Sequence, residues 1–342
     1  MIETTPLVSV LMPCYNAEDT LLEALDSLRD QTISDYEIIA VDDGSTDATS
    51  VILASWAATD PRIRIYTQPH QGILVALNTG LQHSRAPYIA RMDTDDHAYP
   101  ERLQRQLAYL DEHPQVALVS CQVRGFPEEH VREGFRLYIE WQNSLISNEE
   151  IQKEIFVESP FAHPSVTLRR DWIERAGGYQ ERGWAEDYDL WLRLYLGGAQ
   201  FAKIPQVLLA WRESPRRLTR MDGRYSLENF LRAKAHYLAR GPLSARDGII
   251  IWGAGMTGRR LSKHLSRQEL PLVAFIDIDP KKIGKMKRGL PILSPQVLSS
   301  WWGKFQNPAL LAAVGARRAR GLIRARLSEV GLIEGRDWWG VA

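Results

Sequence analysis

The chain has almost no cysteine: Cys14 and Cys121 are its two in 342 residues. That excludes a disulfide-stapled scaffold and suits a reducing compartment. A surplus of either charge is also missing. Lysine plus arginine and aspartate plus glutamate number 42 each, which leaves no net field for holding a polyanion such as DNA or RNA. Long hydrophobic runs are absent too. The apolar stretch Leu7 to Met12 is far shorter than a signal-peptide core or a membrane span, and Met1-Ile-Glu-Thr-Thr-Pro6 carries an acid where a secretory leader carries basic residues. The expectation is a cytoplasmic protein, with peripheral attachment to the inner face of the membrane left open. No internal repeat or low-complexity segment is found. Basic clusters do occur at Arg212 to Arg220, Lys281 to Arg288 and Arg317 to Arg326. Each is able to meet a phosphate or an anionic surface, although solvated loops and helix faces are the plainer account.

What is present is ordinary core material: 44% apolar and 25% charged residues. The length exceeds the roughly 250–300 residues at which one core stops growing, so two domains are expected. The first half alternates short apolar runs with amphipathic stretches, as in an α/β domain with a largely parallel sheet. Val8 to Met12, Glu37 to Val41, Arg62 to Tyr66, Tyr88 to Met92 and Val116 to Cys121 read as strands. Ala17 to Gln31, with Leu21, Leu22, Leu25 and Leu28 on one stripe, reads as a helix, as do Gly72 to Ser84 and Pro100 to Glu112. Between Gly125 and Phe161 the periodicity weakens, which predicts irregular or short helical structure. A break at Ala239 to Gly248 precedes the strand Ile249 to Trp252 and reads as a domain boundary, giving domains 1–240 and 248–342.

Polar groups follow three of the strands: Pro13-Cys-Tyr15-Asn16, Asp42-Asp43-Gly44-Ser45 and Asp93-Thr-Asp95-Asp96. In an open α/β sheet the carboxyl ends of the strands form the ligand crevice, so these groups are expected at one rim. If the extended geometry of Tyr88 to Met92 continues, Asp93 and Asp95 point to the same side. Two hard oxygen ligands suit Mg²⁺ or Mn²⁺, completed by substrate phosphates and water. An acidic turn alone has a plainer account as solvated loop.

Taken in order, Pro13-Cys-Tyr-Asn16, Val41-Asp-Asp-Gly-Ser-Thr-Asp47, Ala90-Arg-Met-Asp-Thr-Asp-Asp96 with Pro100-Glu-Arg-Leu103, Gly177-Gly-Tyr179 and Ala185-Glu-Asp-Tyr-Asp-Leu-Trp191 resemble the family 2 glycosyltransferases of the GT-A fold, over about Val8 to Arg212. The resemblance implies an inverting transfer from a nucleotide-sugar donor, expected to be a UDP-sugar, to a hydroxyl of a glycan or lipid-linked acceptor. It implies that Pro13, Tyr15, Asn16, Asp42 and Asp43 cradle the nucleotide, with Gly72 and Asn78 beside the donor. Asp95 is then the direct metal ligand, and Asp93 shares that task or holds the ribose. Of the pair Glu186-Asp187, Asp187 is expected to be the general base that an inverting transfer needs. After Leu208-Leu-Ala-Trp-Arg212 many relatives carry a histidine, whereas this chain continues Glu213-Ser-Pro-Arg216-Arg217, so the resemblance does not supply a third metal ligand there, and Arg212, Arg216 or Arg217 is the alternative hold on the diphosphate. Trp141, His163 and Trp184 match segments beside the acceptor cavity, although a lone histidine is usually structural and a tryptophan usually core.

Downstream, Ile249-Ile-Ile-Trp-Gly253-Ala-Gly255-Met-Thr-Gly258 runs from strand through a glycine turn into a helix, and Asp277 ends the next strand at dinucleotide-fingerprint spacing. The segment resembles the nucleotide-sugar-binding domain of bacterial sugar acyltransferases. Its length suffices for a Rossmann-like half-domain, whose role is nucleotide binding or assembly. Three other functions compete: an NAD-dependent sugar oxidoreductase, which lacks a visible hydride-transfer partner; a nucleotidyltransferase, which lacks a Gly-rich, Arg-containing loop after the first strand; and a non-catalytic binding module, against which Asp95 and Asp187 count.

Overall fold

The computed structural model describes residues 5–214, 217–316 and 319–342. Arg216, the start of the cluster Arg317 to Arg326, and Met1 to Thr4 lie outside them. The chain forms two compact units: Met1–Ile151, Pro160–Arg182 and Glu186–Met221 make one, and Gln152–Ser159, Gly183–Ala185 and Asp222–Ala342 make the other.

The first unit runs β1 (Val8–Cys14), α1 (Leu21–Arg29), β2 (Tyr36–Asp42), α2 (Thr49–Ala57), β3 (Ile63–Thr67), α3 (Ile73–His83), β4 (Tyr88–Arg91), β5 (His97–Ala98), α4 (Arg102–Glu112), β6 (Val116–Phe126), α5 (Glu133–Asn143), α6 (Asn148–Glu154), β7 (Thr167–Arg169), α7 (Arg170–Arg175), α8 (Glu186–Leu196), β8 (Gln200–Arg212) and α9 (Leu218–Met221). Its sheet has the order β3-β2-β1-β4-β7-β6-β8-β5. β1, β2, β3 and β4 are mutually parallel, and β7 enters antiparallel to β4. The near-continuous apolar runs of β1 and β2 follow from burial on both faces, which parallel strands under crossover helices require. Register sets Cys14 beside Asp42, Asp42 beside Thr67, and Leu11 beside Arg91. The segments after β1, β2 and β4 therefore leave the sheet at one rim.

Two local readings change. Leu22 does not share the buried stripe of α1: it is 53% exposed, while Leu21, Ala24, Leu25 and Leu28 are buried. One residue of helix turns the side chain by about 100°, which takes Leu22 off the core face. β6 continues past Cys121 to Phe126 because it pairs with β8, up to Phe126 beside Arg212. The weakly periodic stretch that follows holds the short helices α5 and α6. Among the described residues no helix is long and apolar enough to cross a membrane.

The second unit contains α10 (Leu227–Arg240), β9 (Gly248–Trp252), α11 (Met256–Ser266), β10 (Leu272–Ile276), β11 (Met286–Lys287), β12 (Leu290–Leu293), α12 (Leu298–Trp302), β13 (Pro308–Ala312), α13 (Ala319–Glu329) and β14 (Trp338–Gly340). The sheet order is β11-β12-β10-β9-β13-β14, with all pairs parallel except β11 with β12. Five parallel strands exceed the expected half-domain, and the winding reverses between β9 and β13. α10 belongs to this unit, ahead of the break at Ala239 to Gly248. Glu228 on α10 lies 2.9 Å from His264 Nε2 on α11, and the buried Lys234 ammonium donates to the carbonyls of Val157 at 2.7 Å and Val341 at 3.2 Å.

Candidate active site

The turn after β4 gathers Asp93, Asp95 and Asp96, which offer carboxylate oxygens all within 4.8 Å of one another. They meet differently from the expected pleat. β4 ends at Arg91, and the chain turns at Thr94-Asp95, so a reversal of the backbone brings in a third carboxylate. Asp96 is 1% exposed. Its Oδ1 accepts the Arg212 N–H at 2.8 Å, and its Oδ2 is buried with no hydrogen-bond partner.

Crowding of like charge away from water penalises ionisation. Burial and then Asp93 push Asp95 up to about 6, against the pull of Arg217 and Arg212. Burial, then Asp95 and Asp93, push Asp96 well above the carboxylate range. An orphaned buried oxygen within a triad of hard donors fits a divalent cation, which would supply the missing partner and offset the repulsion.

Arg212, at the end of β8, reaches this turn. Its Nε donates to the Asp95 carbonyl at 2.5 Å, and its Nη2 pairs with Glu23. Glu213, the first residue after Arg212, is buried and pairs with Arg217 and Arg220. Arg217 also lies over the Trp211 ring at 4.2 Å.

The segments after β1 and β2 are laced together. Asn16 Oδ1 accepts the Thr46 N–H at 2.8 Å, and the Asn16 N–H donates to Ser45 Oγ at 3.0 Å. Asp42 is buried and accepts the Ser45 N–H at 3.0 Å. Asp43, expected beside the nucleotide, organises the neighbouring loop: Oδ1 accepts Gln68 Nε2 at 2.7 Å and the Gln71 N–H at 3.0 Å, and Oδ2 accepts the Gly72 N–H at 2.7 Å. Gly44 has φ of +73°, and a Cβ there would lie 2.7 Å from the His70 nitrogen. Only glycine suits that close approach. Pro13 is half-buried at the end of β1. Tyr15 is 47% exposed and stacks on His70, with ring centroids 4.0 Å apart. Asn78 has both ends of its amide engaged by the Tyr179 backbone, at 2.8 and 3.0 Å, and so fastens α3 to the Gly177-Gly178 turn.

Glu186 and Asp187 open α8, Glu186 buried and Asp187 half-buried. Asp189 is buried and pairs with Arg193 Nε at 2.7 Å, a structural role. His163 is also internal: its Nε2 lies 2.9 Å from the Tyr179 hydroxyl, and burial lowers it well below the usual imidazole range. Trp141 is half-buried on α5, its ring 5.8 Å from that of Tyr138. Trp184 is buried in the second unit, 5.4 Å from the His236 ring. Among the acceptor candidates, His163 and Trp184 thus lie in packed interiors.

In the second unit the glycine turn follows β9 at the point where the winding reverses. A Cβ on Gly258 would lie 1.9 Å from the Gly253 carbonyl oxygen, whereas one on Gly255 would meet nothing within 4 Å. Asp277 engages the turn itself. Its Oδ2 accepts the Ala254 N–H and the Lys282 ammonium, each at 3.0 Å, and its Oδ1 accepts the Asp279 N–H at 2.9 Å.

Carboxylates at the carboxyl rim of a parallel-rich sheet, joined by an arginine, lie where an open α/β sheet forms its ligand crevice, and the comparisons give the family. The Glycosyl transferase family 2 profile matches residues 9–177. The chain is 35% identical over 206 residues to the amylovoran biosynthesis glycosyltransferase AmsE of Erwinia amylovora, covering 59% of this chain and 75% of that protein. It is 29% identical to the UDP-Gal:alpha-D-GlcNAc-diphosphoundecaprenol beta-1,3-galactosyltransferase of Escherichia coli, over 73% of this chain and 90% of the relative. Among solved structures, residues 1–349 of S. aureus TarS in complex with UDP-GlcNAc superpose with a TM-score of 0.57 at 19% identity, covering 76% of this chain and 72% of that one. The chain belongs to glycosyltransferase family 2, and its mixed α/β architecture is that of the GT-A enzymes.

Three features of the site escaped the sequence: Asp96 as a member of the carboxylate cluster, the His70 ring beneath Tyr15, and the buried Arg91 and Arg102 behind the acidic turn. Asp96 was within reach, since it stands in the motif. The others depend on contacts between distant segments.

Proposed function

We propose that the first unit transfers a sugar, with inversion, from a UDP-sugar to a hydroxyl of a glycan or lipid-linked acceptor. The observation that carries this reading is the carboxylate triad with its orphaned Asp96 oxygen, lying beside Arg212 at the strand ends. Asp93, Asp95 and Asp96 would hold Mg²⁺ or Mn²⁺, which when bound neutralises charge on a diphosphate. Arg212 and Arg217 would face the same phosphates. The acceptor oxygen forms its bond to the anomeric carbon as the carbon–oxygen bond to the diphosphate breaks, the electron pair leaving with the nucleoside diphosphate. Asp187 takes the acceptor's proton, and direct displacement of this kind inverts configuration without a covalent enzyme intermediate. The E. coli relative, whose name specifies a diphosphoundecaprenol-linked acceptor, supports a lipid-linked acceptor.

The second unit is proposed to hold a nucleotide or nucleotide sugar. Its support is the open space at Gly255 beside the amino end of α11, where backbone N–H groups suit a phosphate. Asp277, with both oxygens engaged within the protein, steadies that turn and is not assigned to a ribose. Neither an oxidoreductase nor a nucleotidyltransferase is favoured by the first unit's relatives.

The test is a thermal-shift series with nucleotide sugars, with and without Mn²⁺, followed by calorimetry on Asp95→Ala. Donor and metal together should raise the melting temperature of the parent by mass action. Asp95→Ala should lose metal-dependent UDP binding, and Asp93→Ala should lose less. Parental affinity in the Asp95 variant overturns the metal reading.

A further inference from the structure

Arg91, the last residue of β4, is 1% exposed, at a depth where an arginine seldom lies without a carboxylate partner. Its backbone is held from two sides. The N–H donates to the Val166 carbonyl at 3.0 Å, and the Arg91 carbonyl accepts from Nη2 of Arg102, itself fully buried, at 2.6 Å. The guanidinium faces the acidic turn: Nη2 donates to Asp93 Oδ1 at 2.5 Å, and Nη1 donates to the Met92 carbonyl. Its Nε has no hydrogen-bond partner.

This placement has two consequences for the site. Asp93 remains 30% exposed on its side chain, yet one of its oxygens is taken from behind, so Oδ2 is the oxygen left to face an outside ligand. Arg91 also reaches electrostatically beyond the triad. Burial opposes its charge, whereas Asp93, Tyr179 and Glu186 sustain it. The Tyr179 hydroxyl, hydrogen-bonded to His163, lies in the fields of Arg91, Glu186 and Asp187.

We propose that Arg91 is a positioning residue that fixes the Asp93 carboxylate with one oxygen turned toward the metal. The inference rests on the metal-dependent transferase reading above. Two further arginines approach the same turn, but each has an acidic partner outside the triad, Arg212 with Glu23 and Arg217 with Glu213. Arg91 alone among these three has its ion pair within the triad. Without it, the Asp93 side chain is free to swing away from two like-charged neighbours, and a metal would have to order the carboxylate at the moment of binding.

The experiment compares the parent, Arg91→Lys and Arg91→Met in the full chain, by calorimetric titration of UDP with and without Mn²⁺ and by steady-state transfer kinetics. Loss of a group that orients a metal ligand typically weakens metal affinity or activity by about 10–100-fold. Arg91→Met should weaken Mn²⁺-dependent UDP binding by that range and lower kcat as well, leaving metal-independent UDP binding unchanged. Arg91→Lys keeps the cation and should recover most of the binding. If Arg91→Met does not fold, Arg91→Lys is set beside Asp93→Asn, and metal-dependent affinity in Arg91→Lys closer to the parent than to Asp93→Asn supports the proposal. A folded Arg91→Met with parental metal-dependent affinity, or an Arg91→Lys no better than Asp93→Asn, overturns it. Failure of the parent itself to bind UDP more tightly with Mn²⁺ overturns the metal reading and this inference together.

Discussion

Asp43 and Asp187, two acids of one motif set, are placed very differently. Asp43 has both oxygens occupied by the loop Gln68 to Gly72, so any contribution to the proposed donor binding is through the shape of that loop. Asp187 opens a helix, is half-buried, and accepts the Tyr188 N–H on Oδ1 at 2.6 Å; its proposed role is that of the acceptor's base. Asp187→Asn preserves shape and cannot take a proton. It should retain UDP affinity in calorimetry while transfer falls by about 10²–10⁴-fold, the usual contribution of a general base. Near-parental turnover with unchanged binding moves the base elsewhere, Glu186 being the first alternative.

At the scale of elements, β8 carries a buried charge far from the acidic turn. The Lys203 ammonium donates to the Gln142 carbonyl and, at 3.1 Å, to the Pro160 carbonyl, tying the strand to the end of α5 and to the segment before His163. Burial lowers it to about 7. An unfolded lysine holds its proton up to about 10.4, so between about pH 7 and 10 the unfolded chain binds a proton that the folded chain has released. Stability contributed at this site therefore rises with pH across that window, by at most about 1.4 kcal/mol per unit. In denaturant titrations at pH 7, 8 and 9, the parent should gain on Lys203→Met as pH rises. A difference that stays constant with pH refutes the assignment. Beside β8, the strand β6 was legible in sequence as far as its apolar run Val116 to Cys121 reached. The continuation of β6 through Gln122 and Arg124 was not, because pairing with β8 sustains a strand where the hydrophobic signal has ended.

Across the whole molecule, the two units interleave along the chain, with Gln152–Ser159 and Gly183–Ala185 counted in the second. A cut after Leu238 would deprive Lys234 of the Val341 carbonyl, and a fragment from Gly248 onward would lack Glu154, which pairs with Arg320 and Arg324. Ligand binding by the second unit is therefore best tested in the intact chain. Gly255→Val places a side chain in open space, so it should fold normally and yet block a phosphate from the turn. Nucleotide-induced shifts of second-unit amide resonances should appear in the parent and vanish in the variant. An absence of such shifts in the parent leaves assembly as the role of this unit.

The sequence by itself determined the alternation of strands and helices, the rim to which Tyr15, Asp42, Asp93 and Asp95 are delivered, and the family, because these depend on local periods and on motifs that follow strand ends. Only the tertiary structure decided which of those polar groups stay available. Asp96 Oδ1 is engaged because Arg212 arrives from 116 residues along the chain, while Oδ2 is buried without a partner, and Asn78 is engaged because Tyr179 arrives from 101 residues along the chain. Asp93 is turned by an arginine two positions before it, a pairing that matters because packing has removed water from around Arg91. Burial and hydrogen-bond satisfaction are set by what distant segments bring, and neither is encoded in the spacing of a motif.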